Sequence, residues 1–146
     1  MTQNSGLMKG KRGVILGVAN NRSIAWGIAR ACHAAGAEIA LTWQGDALKK
    51  RVEPLARELD GLLLGHCDVT DPVTVDAVFE VLGRKWGKID FVVHAIAFSD
   101  KDQLDGRYLE TTADNFSKTM MISCYSLTAI APVSYTHLTL PTNREV

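Results

Sequence analysis

The stretch "GVILGVANNRSIAWGIARACHAAG", residues 13–36, decides the fold, because it has the pattern of a strand, a turn and a helix. Its apolar run at residues 14–16 is too short for a helix, and Gly17 follows that run directly. Ser23 then begins a helix with one apolar stripe. This order opens a nucleotide-binding fold, in which a pyrophosphate lies at the helix N-terminus. The stripe that we expect to be buried comprises Ile24, Ile28 and Ala31.

The rest of the chain repeats the same alternation of strand and helix. Short apolar runs occur at residues 38–43, 62–64 and 91–93, and each is mostly apolar, as in a strand covered on both faces. Between them, residues 48–59 and 75–86 have apolar side chains at helical spacing. The sequence therefore predicts an α/β fold with a doubly wound parallel sheet, Rossmann-like, that is truncated after about the fourth strand and its following helix.

Composition indicates an ordinary globular protein. The 146 residues are 47% hydrophobic and 22% charged, and sixteen basic residues balance sixteen acidic ones. This balance gives no field that favours nucleic acid or an anionic membrane, and no apolar stretch has the length of a membrane span. The cysteines Cys32, Cys67 and Cys124 occur singly in apolar segments, without a Cys-x-x-Cys pair. We expect reduced, buried thiols in a cytoplasmic protein.

The turn after the first strand lacks the usual G-x-G-x-x-G fingerprint, because the next glycine after Gly17 is Gly27, inside the helix. Asparagines occupy the turn, and asparagine tolerates left-handed backbone better than most residues. The Ser23 hydroxyl is placed to cap the helix or to bond a phosphate oxygen. On these residues alone, a plain strand-to-helix turn stays an open alternative.

Polar residues follow the other three predicted strands, at the edge where an open parallel sheet binds its ligand. Gln44 stands where a ribose-binding carboxylate is usual, and no cation follows it directly. Asp68 and Val69 offer a carboxylate and a backbone N–H to an adenine edge, whereas a cap on the next turn is the alternative for Asp68. His94 is interpreted as a core histidine bonded to backbone. No metal site is predicted.

Five segments together resemble one known family: "GVANNRSIAWGIA", "TWQGD", "CDVTD", "HAIAFSDKDQLDGRYLETTADNF" and "ISCYS". They are similar to the NADH-dependent enoyl-acyl-carrier-protein reductases, a divergent branch of the short-chain dehydrogenase/reductase superfamily. The likeness runs from about residue 7 to residue 131. This branch replaces the glycine-rich turn with one glycine, a longer turn and Ser-Ile, so the resemblance implies that the loop still closes on a pyrophosphate.

The resemblance also assigns positions to the cofactor NADH and to the substrate. The residues implied at the pyrophosphate and ribose are Gly17, Ala19, Ser23 and Ile24. Those implied on the adenosine side are Gln44, Asp68 and Val69. Ile96 is implied near the nicotinamide ribose, and Ser99 where the substrate pocket begins.

The activity implied for the intact parent is hydride transfer from NADH to a trans-2-enoyl thioester on acyl carrier protein, in bacterial fatty-acid elongation by a homotetramer. The family uses a tyrosine and a lysine in a Tyr-x6-Lys arrangement, and this chain has neither in that spacing. We therefore assign no catalytic residue here and expect the chain itself to be inactive. Two alternatives stay open: a non-catalytic NAD-binding module, and a carbonyl reductase of the same superfamily.

The end of the chain, "PVSYTHLTLPTNREV" at residues 132–146, departs from the family and from the helical pattern. Its portion "VSYTHLTLPT" is also the translation of GTC-TCT-TAT-ACA-CAT-CTG-ACG-CTG-CCG-ACG, a transposase sequencing adapter. We therefore expect residues 1–131 to be the N-terminal dinucleotide-binding part of one reductase domain, and residues 132–146 to be a non-native adapter translation. A genuine strand is the alternative.

Overall fold

The computed structural model describes residues 6–135 and residue 137 of the chain. The strands in this part are β1 (Arg12–Leu16), β2 (Glu38–Trp43), β3 (Leu62–His66) and β4 (Phe91–His94). The α-helices are α1 (Ile24–Ala34), α2 (Gly45–Glu58), α3 (Pro72–Trp86), α4 (Ala113–Met120) and α5 (Ser126–Tyr135). A π-helical turn, Met121–Tyr125, joins α4 to α5, and two short 3-10 turns lie between β4 and α4.

The four strands form one parallel sheet in the order β3-β2-β1-β4, which confirms the predicted doubly wound fold. Val14 of β1 lies beside Ala40 of β2 on one side and beside Val92 of β4 on the other. The chain therefore progresses outward from β1 in one direction and then returns to its other side. A crevice forms at such a reversal, beyond the carboxyl ends of the strands.

Two apolar layers cover the sheet, one on each face. Ile15, Ile39 and Leu41 face α1 and α2, whose buried members include Val52 and Ala56. The opposite layer is formed by the alternate strand residues and by α3 and α5. Its fully buried members include Val14, Leu16, Phe79, Leu82 and Ile130. The apolar spacing predicted for α2 and α3 is confirmed, and these layers hold the strand ends at one level.

The predicted buried stripe of α1 is wrong at Ile24 and Ala31, whereas Ile28 is partly buried and packs against the core. Ile24 is 80% exposed, whereas Ala25, Trp26 and Ala29 are buried against the sheet. Small alanines let the helix approach the strands closely, and the large Trp26 ring fills the remaining space. Residue spacing alone favoured the larger Ile24 over its alanine neighbour.

The segment after α4 also differs from the sequence-based expectation. Helix α5 does not end at Pro132 but continues to Tyr135, with Val133 against the core and Ser134 buried. The carbonyl oxygen of His137 then accepts the amide of Ile89 at 2.7 Å. Packing therefore maintains helix beyond the proline. The origin of residues 132–146 stays a prediction, and residues 136 and 138–146 lie outside the described part.

Candidate functional site

A cleft of about 490 Å³ opens at the carboxyl ends of the four strands. Loops after each strand form its floor and walls, and one side of α4 and the π turn closes it. Its lining residues are Gly17, Val18, Ala19, Thr42, Trp43, Gln44, Leu48, Cys67, Asp68, Val69, Thr70, Ala95, Ile96, Ala97, Phe98, Lys118 and Ile122. Six of the nine predicted site residues lie here; Ser23, Ile24 and Ser99 are not among the lining residues.

Gly17 lies at the centre of the cleft floor, where β1 and β4 end side by side. The amide of Ala95 donates to the Leu16 carbonyl at 3.1 Å, which brings the two loops together. Gly17 has φ +101°, and a Cβ on it would overlap the Ala95 carbonyl oxygen. Glycine is therefore required at this position by both conformation and space.

The Ser23 hydroxyl closes the loop between β1 and α1. It accepts the amides of Ala19 at 3.2 Å and Asn20 at 3.3 Å, and donates to the Asn20 carbonyl. It does not cap α1, so that part of the prediction is wrong. Within the described residues, the first-turn amides of Ile24 and Ala25 have no acceptor. They offer the type of donor that binds a phosphate oxygen at a helix start.

Gln44 and Asp68 meet at the end of the cleft that is formed by the loops after β2 and β3. Gln44 Nε2 donates to Asp68 Oδ2 at 3.0 Å, while Asp68 Oδ1 accepts the Thr70 hydroxyl at 2.6 Å and its amide at 2.9 Å. The Thr70 hydroxyl bond, together with the Thr70 amide and Gln44, lowers the pKa of the Asp68 carboxyl, against a smaller opposing effect of burial. Asp68 thus holds its own turn and also lines the cleft, whereas Asp71 caps α3 by accepting the Val73 amide.

The three cysteines are free, but their surroundings differ from the predicted uniform burial. Cys67 is buried beside Asp68, and burial, followed by the charge of that carboxylate, raises the pKa of its thiol to about 11. It therefore contributes a protonated, weakly polar surface to the cleft. Cys32 is half-buried, with the pKa of its thiol raised by burial, and Cys124 is exposed on the π turn.

Two polar side chains near the end of β4, His94 and Ser99, are hydrogen bonded to the segment from α4 to α5. His94 Nε2 lies 2.6 Å from the Ser126 hydroxyl, so a side chain is the ring's partner there. Burial lowers the pKa of His94, which favours the neutral ring. The Ser99 hydroxyl bonds to the amide group of Asn115 and to Thr119. The structure therefore places Ser99 behind the wall, and its predicted substrate contact remains a prediction.

Two lining residues come from an element that the sequence pattern did not assign to the site. Lys118 and Ile122 lie one helical turn apart on the segment after β4. Lys118 Nζ bonds to both carboxylate oxygens of Asp100, at 2.8 and 2.9 Å, and lies 5.8 Å from the centre of the Phe98 ring. The only available signal was their i, i+4 spacing, which core packing explains equally well.

Other kinds of site are not seen in this part of the chain. Among residues 6–135 and 137, no three His, Cys, Asp or Glu side chains are grouped to hold a metal ion. In the same residues, no helix has the length and apolar character to cross a membrane.

The sheet is parallel, a cleft lies where the strand order reverses, a glycine lies at the cleft floor, and a helix starts beside the cleft. These features define a dinucleotide-binding fold of the Rossmann type. Residues 17–139 match the family described as enoyl-(acyl carrier protein) reductase. The chain belongs to this family.

Relatives and solved structures agree with this assignment. The chain is 76% identical over 131 residues to the NADH enoyl-[acyl-carrier-protein] reductase 1 of Rhizobium meliloti, covering 90% of this chain and 48% of that protein. The enzyme of Anaplasma phagocytophilum, solved in complex with NAD, is 55% identical with a TM-score of 0.84; the match covers 90% of this chain and 50% of that one. The Bacillus cereus enzyme, solved with NADP+ and indole naphthyridinone, is 43% identical with a TM-score of 0.85, over 91% and 52% of the two chains. The chain spans about half the length of these relatives.

Proposed function

We propose that the protein of which this chain forms part reduces trans-2-enoyl-acyl-carrier-protein with NADH, in bacterial fatty-acid elongation. The observation that carries the proposal is the cleft at the β1/β4 reversal, in a chain that belongs to the enoyl-(acyl carrier protein) reductase family. NADH, when bound, supplies the hydride that reduces the β-carbon of the thioester. The described residues bind and orient it, and we assign no proton-transfer step to them.

The cofactor would lie along the cleft from the Gln44 end to the β4 loop. We assign the adenosine to the side formed by Gln44, Asp68 and Val69, where carboxylate and amide groups are grouped. The pyrophosphate then lies over the floor at the start of α1, and the nicotinamide ribose lies near Ile96. The residues assigned to the pyrophosphate and its riboses are Gly17, Ala19, Ser23 and Ile24. The substrate pocket begins at Ser99.

We further propose self-association as a homotetramer in the cytoplasm. Large apolar side chains are exposed along the segment from α4 to α5. The helical spacing in this segment predicts that Tyr125 packs inside the protein. Tyr125 is in fact 53% exposed. The others are Phe116, Met120, Met121 and Leu127. Exposed apolar surface of this kind supports contact with another part of the protein or with another copy.

NADH titration tests the proposal directly. We expect the 146-residue chain to bind NADH at least about tenfold more tightly than NADPH, because Asp68 places a negative charge beside Gln44 at the adenosine end. The negative charge of Asp68 would repel the 2′-phosphate of NADPH. The measurement is the dissociation constant from the change in nicotinamide fluorescence. The variant Gln44→Arg should bring the NADH and NADPH dissociation constants closer together, because it adds a cation that attracts the 2′-phosphate. Equal constants for both cofactors would contradict the assignment.

Removal of the Asp68 carboxylate should weaken NADH binding. We expect Asp68→Ala to cost about 1–3 kcal/mol of binding free energy, because a buried donor of the adenine would lose its acceptor. The matched control is Thr70→Val, which removes the hydroxyl bonded to Asp68 Oδ1 and leaves the carboxylate. An Asp68→Ala affinity equal to that of Thr70→Val would show that Asp68 acts only by holding its turn.

A further inference from the structure

Polar side chains on one side of the segment from α4 to α5 bond, in order, to the chain that leaves β4. We define them as the polar ladder: Asn115, Thr119, Ser123 and Ser126. Ser126 is bonded to His94, Ser123 to Phe98, and Thr119 and Asn115 to Ser99. Asn115 Oδ1 also accepts the amide of Asp100 at 3.0 Å. The ladder thus follows this stretch of chain from its strand end to residue 100.

Ser123 has the most direct connection to the cleft. Its hydroxyl accepts the Phe98 amide at 3.0 Å and donates to the Phe98 carbonyl at 3.3 Å. One side chain therefore satisfies both backbone polar groups of a residue that lines the cleft. Residues 95–98 form one wall of the cleft, and Ser123 lies behind the end of that wall.

The π turn explains how Ser123 reaches this position. The Ser126 amide donates to the Met121 carbonyl, five residues back, and the Ser126 hydroxyl donates to the Ile122 carbonyl at 2.6 Å. The additional residue in the turn brings both Ile122 and Ser123 to the wall, since Ile122 lines the cleft itself. Turns of this type are rare in helices and occur frequently at functional sites.

Two members of the ladder are buried, whereas Ser123 is half-buried and its bonds to Phe98 are accessible to solvent. Asn115 is 5% exposed and Ser126 is 2% exposed, and in the described residues no buried side-chain N or O atom lacks a partner. Buried polar groups with complete hydrogen bonding define one local arrangement more strictly than apolar contacts do. Core packing alone would be served by apolar side chains at these positions.

We propose that Ser123 is a positioning residue for the cofactor, holding the wall of residues 95–98 where the nicotinamide end of NADH contacts it. The inference rests on the proposed function. Loss of the hydroxyl leaves the Phe98 amide and carbonyl bonded to water, which does not hold the wall against the π turn. The predicted consequence is weaker NADH binding without loss of the fold.

The test compares Ser123→Ala, Ser123→Thr and Ser117→Ala in the 146-residue chain. Ser117 is an exposed serine of α4 and serves as the matched control. Hydrogen exchange detected by mass spectrometry follows the peptide that contains Phe98, and NADH fluorescence gives the dissociation constant. We expect Ser123→Ala to accelerate exchange at Phe98 about tenfold and to raise the NADH constant about fivefold. Ser123→Thr keeps the hydroxyl and should restore both, while exchange in β1 stays unchanged in every variant.

The possible outcomes distinguish a failure of this inference from a failure of the proposed function. Faster exchange with unchanged NADH affinity in Ser123→Ala would overturn the positioning role, since the bond would then be structural only. Unchanged exchange at Phe98 would overturn the bond itself. Faster exchange throughout the chain would mean general destabilisation, which also overturns the inference unless Ser123→Thr restores affinity. If the unsubstituted chain does not bind NADH, this inference is overturned for the chain, whereas the proposed function concerns the longer protein and fails only if that protein shows no turnover.

Discussion

Replacing Gly17 with alanine is expected to lower the free energy of unfolding by about 3 kcal/mol or more. A left-handed φ of +101° is strained for any residue with a Cβ, and this Cβ would also overlap the Ala95 carbonyl oxygen. Because backbone atoms form the obstacle, a side-chain rotation cannot relieve the overlap. The ends of β1 and β4 would have to separate at the cleft floor. Urea unfolding followed by circular dichroism measures the change.

Gly27 provides the control for Gly17 within the same segment. It lies inside α1, and no atom lies within 4 Å of the position that an added methyl group would take, so Gly27→Ala meets no obstacle. Alanine has the higher helix propensity, and we expect stabilisation of up to about 1 kcal/mol. If Gly17→Ala unfolded at the same urea concentration as the unsubstituted chain, the close approach of β1 and β4 would be contradicted.

The second large effect is expected in turnover. The 146-residue chain should not reduce crotonyl thioester with NADH, because it has no Tyr-x6-Lys pair. We expect a joined protein to reduce crotonyl thioester. In this joined protein, residues 1–131 are followed by the part of the Rhizobium meliloti relative that lies beyond its matched segment. The reason is electrostatic, since a donor to the developing thioester oxyanion is usually the largest protein contribution to such a reaction. The measurement is the rate of NADH oxidation, followed by its absorbance.

Two controls make the turnover experiment decisive. The segment from the relative, expressed alone, should be inactive, because the cleft lies in residues 1–131. A joined protein that carries Asp68→Ala should need more NADH for the same rate. Turnover by the 146-residue chain would contradict the assignment of the missing catalytic residues. A joined protein that binds NADH but does not react would contradict the proposed reaction.

The strand ends were predictable from sequence because two local signals agree there. Each short apolar run gives way within a few residues to a glycine or a polar side chain, such as Gly17, Gln44 or Asp68. Since parallel strands end at one edge, the order of elements was sufficient to bring these residues together. That is why six of the nine predicted residues line the same cleft.

Features that depend on helix rotation were not predictable in the same way. The buried face of α1 is decided by how closely alanines approach the sheet, and Ile24 was assigned to the wrong side. The π turn changes the helical phase by a single residue, and no spacing rule marks it. Ser123 and Lys118 therefore acquire their positions only from the packed structure.

The pairing of β1 with β4 has a consequence for synthesis on the ribosome. Gly13 of β1 lies beside Phe91, about 80 residues later in the chain. At the usual elongation rate of about 5–20 residues per second, the side of β1 that pairs with β4 stays unpaired for about 4–16 s until β4 has been synthesised. During that interval the nascent chain presents an unpaired apolar edge, which chaperones bind. The cleft floor is therefore among the last parts of this segment to form, after the β1–β2–β3 half has emerged.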